Sequence, residues 1–78
     1  MLSPQRLKEL KNIVTEDYSG GVRLTELVVD LMAPGRDWSY EEVFDLESSI
    51  KGSPGCGLKV LNYSWETLNR EKTFIYTP

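Results

Sequence analysis

Apolar residues recur along the chain in three helix-like stretches, followed by two extended ones. Leu7, Leu10 and Val14 fall at the three-and-four spacing of one helix face, and Ile13 widens the stripe. Arg6, Lys8, Glu9, Lys11 and Asn12 fill the other faces. Ser3-Pro4 supplies a start: a serine hydroxyl can accept a free backbone N–H, and proline at the first helical position has no N–H to satisfy. Ser19-Gly20-Gly21 supplies a stop, because glycine enters the left-handed region at little cost. The pattern predicts a helix over residues 4–18.

Val22-Arg23-Leu24 is long enough only for a bridging strand. Leu27, Val28, Leu31 and Met32 then share one broad face, which predicts a second helix over 26–33, capped by Thr25 and ended by Pro34-Gly35. Ser39-Tyr40-Glu41-Glu42 has the form of a capping box, in which serine and the glutamate three residues on satisfy each other's backbone N–H. Val43, Phe44, Leu46 and Ile50 continue the pattern, so a third helix is expected over 40–50. Ser53-Pro54-Gly55-Cys56-Gly57 reads as a loop. Residues 58–65 and 72–76 are rich in β-branched and aromatic side chains and predict an antiparallel hairpin. Both of its alternations carry apolar residues, so the inward face stays open. The expected fold class is α+β: three helices followed by a C-terminal antiparallel β-hairpin, with a short strand after helix one optional.

From Ser3-Pro4 through Leu31, and from Ser39 through Tyr76, this order and these lengths resemble a winged helix-turn-helix domain. The resemblance spans nearly the whole chain, as one domain over residues 1–78, and rests on element order alone. It implies a DNA-binding regulator whose third helix enters the major groove.

Charge argues against that mode. Residues 26–50 hold Arg36 alone against Glu26, Asp30, Asp37, Glu41, Glu42, Asp45 and Glu47, whereas both flanking segments are mildly basic. The third helix would bring Glu41, Glu42, Asp45 and Glu47 to a duplex that carries about one negative charge per 1.7 Å. It offers no arginine, asparagine or glutamine to read a base edge. The same acids, with Asp37, Trp38 and Tyr40 beside them, suit docking of another, basic protein, since aromatics anchor many interfaces. Their plainer role is a solvated helix face, and Trp38 also suits core filling. The nucleic-acid alternative relies on Lys8 and Lys11 of helix one and on Lys59, Arg70 and Lys72 of the hairpin.

Composition narrows the function classes. The 78-residue chain has 40% hydrophobic and 27% charged residues, the balance of a small globular domain rather than a disordered segment. With no histidine and one cysteine there is no zinc ligand set and no internal disulfide. Cys56 lies between glycines without a histidine base, so a packed turn residue is expected over a nucleophile. Glu41 and Asp45 are four apart but lack the loop and glycine of an EF-hand, and neither glycine-rich stretch has the spacing of a phosphate loop. No catalytic constellation, metal or cofactor is expected. The apolar runs are too short to span a bilayer and no signal pattern is present, so the expectation is a cytoplasmic protein. The reading is a small non-enzymatic interaction module acting as adaptor, regulator or inhibitor. Phage and mobile-element proteins that interfere with host machinery offer an analogy in size and acidity. Self-association through an open hairpin edge or the helix-one stripe serves either reading.

Overall fold

The computed structural model describes residues 1–62 and 72–78. Seven elements follow one another: α1 (Pro4–Asp17), β1 (Gly21–Arg23), α2 (Leu24–Leu31), α3 (Tyr40–Phe44), α4 (Leu46–Lys51), β2 (Lys59–Asn62) and β3 (Thr73–Tyr76). The class is α+β. Three helices followed by a hairpin is nonetheless an incomplete description, because a strand separates α1 from α2 and the third helix is two helices.

α1 begins where the sequence places it. Ser3 Oγ accepts the Arg6 N–H at 3.2 Å, with Pro4 in the first turn. At the other end the chain turns through left-handed Ser19 and Gly20, and the Gly20 N–H reaches back to the Val14 carbonyl at 2.9 Å. That reversal feeds directly into β1, which pairs with β3 in the register Val22↔Ile75. β3 also pairs with β2, Val60 facing Ile75, so β3 is the central strand of an antiparallel sheet ordered β1-β3-β2. Residues 63–65, the expected end of the first hairpin strand, lie outside the described residues, as does the predicted turn at 66–71.

α2 starts at Leu24, and Thr25 is not its cap; Arg23 holds that position with no side-chain hydrogen bond. The strand runs straight into the helix because Leu24, 4% exposed, is drawn into the core with Leu27 and Leu31. The expected helix over 40–50 breaks at Asp45. The Asp45 carboxylate accepts the Ser48 hydroxyl at 2.8 Å and pairs with the α-ammonium of Met1. The Asp45 backbone N–H closes α3 on the Glu41 and Glu42 carbonyls, both at 3.2 Å, and Asp45 stands at the N-cap position of α4 with no side-chain bond to that helix's backbone.

The core draws on every element. Leu10, Val14, Leu27, Leu31, Leu46, Leu58 and Ile75 are essentially inaccessible and form one cluster with Leu2, Leu7, Val22, Trp38, Val43 and Ile50. Each such leucine contributes about 2 kcal/mol of transfer free energy. The hairpin face is now assigned: Val60 and Ile75 turn inward, whereas Lys59 and Leu61 turn outward. The buried Ser49 hydroxyl accepts the Leu2 N–H at 2.8 Å, holding the N-terminal segment against α4. Among the described residues no helix is long and apolar enough to cross a membrane.

Candidate functional site

Three of the acidic positions singled out from sequence, Asp37, Glu42 and Asp45, are engaged in ion pairs within the fold. Arg6, on α1, is a hub. Its Nε donates to Glu42 Oε2 at 2.8 Å, its NH1 to Glu9 Oε2 at 2.6 Å and to Asp37 Oδ1 at 3.3 Å, and its NH2 to the Asp37 carbonyl at 2.7 Å. The guanidinium also lies over the Trp38 ring, 4.4 Å from its centroid. Glu42 closes the predicted capping box: its Oε1 accepts the Ser39 N–H at 3.0 Å while Ser39 Oγ accepts the Glu42 N–H at 3.2 Å. The Arg6 hydrogen bond first, and the Ser39 N–H second, pull the Glu42 carboxyl down to about 2. Asp45 is likewise held below the ordinary carboxylate range, chiefly by the Met1 ammonium and then by Ser48.

Trp38 is 6% exposed, so it belongs to the core and is not available as a surface anchor. Tyr40 differs. It is 70% exposed, and its ring stacks on Phe44 at a centroid distance of 6.1 Å. Phe44, read from the apolar pattern as a core residue, is 61% exposed. Helix geometry is the reason: at about 100° per residue Phe44 lies roughly 120° away from the stripe of Val43, Leu46 and Ile50, and one turn from Tyr40, so the two rings share the outward face of α3. Met1 is 78% exposed beside them. A cleft of about 500 Å³ opens here, lined by Met1, Leu2, Ser3, Ser39, Tyr40, Glu41, Glu42, Phe44 and Asp45. Glu41 is exposed on this rim with no ion pair among the described residues, and Asp37 stands nearby with its side chain 91% exposed. The face is therefore aromatic at its centre and acidic at its edge. Sequence reasoning missed Met1 and Phe44; an aspartate at the midpoint of a short apolar pattern was the signal for the break.

The basic candidates distribute differently. Lys8 and Lys11, three apart on α1, line a second cleft of about 560 Å³ together with Met1, Leu2, Pro4, Leu7, Ser53, Gly55 and Cys56. The Lys11 stem lies close to Gly57, whose φ of +83° favours glycine. Gly57 stands two residues before Lys59, so Lys11 approaches the start of β2. Lys72 precedes β3 and sits at the opposite end of the paired strands, since Lys59 faces Tyr76 and Asn62 faces Thr73. Arg70 lies outside the described residues. Lys8, Lys11, Lys59 and Lys72 make no ion pair among the described residues, in contrast to Arg6 and Arg36.

A second network ties the far end of α1 to α2. The Tyr18 hydroxyl donates to Asp30 Oδ2 at 2.7 Å, and Arg36 NH2 reaches both Asp30 and Asp17. Burial first, and the Asp30 bond second, push the Tyr18 hydroxyl up to about 12. Cys56 is half-buried, its thiol near the Leu58 carbonyl at 3.8 Å. Among the described residues no group of three metal-ligating side chains forms. No protein-family model, curated protein or solved structure matches the chain.

Proposed function

We propose that the protein is a small interaction module that docks a basic, amphipathic segment of another protein on the α3 face. The observation that carries this is the exposed, stacked Tyr40–Phe44 pair beside an open cleft, with Glu41 at its rim making no ion pair among the described residues. Covering the two rings would remove roughly 200 Å² of apolar surface, about 5 kcal/mol before the costs of association. Glu41 and Asp37 add sign selectivity, which speeds encounter with cations and penalises acidic partners. α3 is braced from behind by Arg6 and by its capping box, so the face is ordered before a partner arrives. An adaptor, regulator or inhibitor needs no more than this.

The test is fluorescence anisotropy with a labelled lysine–leucine amphipathic peptide, and with the same pattern built on glutamate. The lysine peptide binds, and Tyr40→Ala and Glu41→Lys each weaken it by about tenfold. Equal binding of both peptides, or indifference to both substitutions, overturns the assignment.

A winged-helix-like arrangement with DNA contacts is the second reading. Two observations favour it: the strand between the first two helices pairs with the last strand of the chain, and Lys11 of α1 lies beside the loop leading to Lys59. The acids of α3 and α4 oppose it, because they line the segment that this family carries into the major groove. Duplex DNA binding that survives physiological salt and is lost on neutralising Lys8, Lys11 and Lys59 would favour this reading over protein docking.

A further inference from the structure

The aromatic–acidic cleft and the lysine cleft are neighbours. Met1 and Leu2 line both, one cleft on each side of the N-terminal segment. Their chemistries are complementary. One presents Tyr40, Phe44 and Glu41; the other has exposed Pro4 and the stems of Lys8 and Lys11 over buried Leu2 and Leu7, and none of Glu41, Lys8 and Lys11 makes an ion pair among the described residues. We propose that the partner of the α3 face is a second copy of this chain, α3 of each copy seated in the Lys8–Lys11 groove of the other.

This rests on the docking role of α3 argued above and supplies its occupant. Two unlike patches that lie side by side on one protomer can be satisfied together by a two-fold axis. Rotation about an axis near Met1 and Leu2 lays patch one on patch two, and the same operation lays patch two on patch one. Both contacts form at once and the assembly closes at two copies. The alternative, one contact at a time, would leave a cleft open on each copy and propagate as a chain. The Lys8 and Lys11 ammonium groups would meet Glu41 and the partial charge of the Tyr40 hydroxyl, while the Tyr40 and Phe44 rings cover Met1, Pro4 and the aliphatic stems of the two lysines. The occupant thus matches the groove in sign as well as in apolar character.

Charge reversal with sedimentation equilibrium tests it. Lys8, Lys11 and Glu41 are exposed and make no ion pair among the described residues, so their reversal leaves the fold intact, which circular dichroism verifies. The wild-type chain sediments as a dimer. K8E/K11E and E41K each weaken dimerisation at least about tenfold, since each reverses both symmetric contacts. A mixture of the two variants dimerises again: one contact is wild-type on both sides, and the other pairs the reversed α3 with the reversed groove. A wild-type monomer at all accessible concentrations overturns the inference. So does a wild-type dimer indifferent to the substitutions, or a mixture that stays monomeric. The lysine–leucine peptide separates the two levels: a monomer that binds it through Tyr40 and Glu41 keeps the docking role and loses the second copy, whereas a monomer that ignores it loses both.

Discussion

Arg6 is the residue on which the site depends most. Its side chain is 16% exposed, and it joins α1 to Asp37, Trp38 and Glu42 at once. Arg6→Ala would leave Glu42 without its cation and uncover the Trp38 face, so urea denaturation should show a loss of about 2 kcal/mol. Arg6→Lys should recover little of it, because an ammonium cannot bond Glu42 and Asp37 in a fork while lying flat on an indole. The same pair gives a pH signature. The Glu42 carboxyl sits near 2 in the folded chain against an ordinary 4.5. Its stabilising contribution is therefore complete above about pH 4.5 and is lost as pH falls through about 2. Denaturant midpoints followed over that window should decline in the wild type and decline less in Glu42→Gln. None of this was legible in the sequence. Arg6 looks like one of five polar residues on the outer faces of α1, and apart from Glu9 its partners, Asp37, Trp38 and Glu42, lie more than thirty positions away, brought near only by the fold.

At the scale of elements, the most predictable features were local ones. The Ser3-Pro4 start and the Ser39–Glu42 capping box are written in adjacent residues and formed as read. Ser39→Ala should cost about 1 kcal/mol by thermal or chemical unfolding, with α3 the element that frays. Elements whose limits depend on tertiary burial were less legible. Thr25 is a good cap by chemistry, but burial of Leu24 moves the start of α2 upstream of it. The hairpin's inward face was undecided because both alternations are apolar; pairing of Val22 and Val60 with Ile75 on the central strand decides it. The break at Asp45 had the largest consequence. It turned the one expected helix into two short ones, while Tyr40 and Phe44, one turn apart within α3, share its outward face. Asp45→Ala should relieve the break: helical content rises by circular dichroism, while peptide binding through Tyr40 and Phe44 persists, because residues four apart keep a common face on an unbroken helix.

At the scale of the whole molecule, the segregation of charge seen in the sequence persists in a changed form. The acidic stretch over 26–50 is partly neutralised from within by Arg6, Arg36 and the Met1 ammonium. What remains for a partner is a smaller acidic edge around an aromatic centre, next to a groove of the opposite sign. The sequence made the sign of each region readable, but not their adjacency, which follows from the N-terminal segment running between α1, α3 and α4. The most direct test of the docking face is amide chemical-shift mapping on the isotope-labelled chain as the lysine–leucine peptide is added. Shifts centred on residues 1–3 and 39–45 are predicted, with the Lys8–Lys11 groove following as the peptide displaces the second copy. Shifts centred on the hairpin, or none at saturating peptide, would contradict the account.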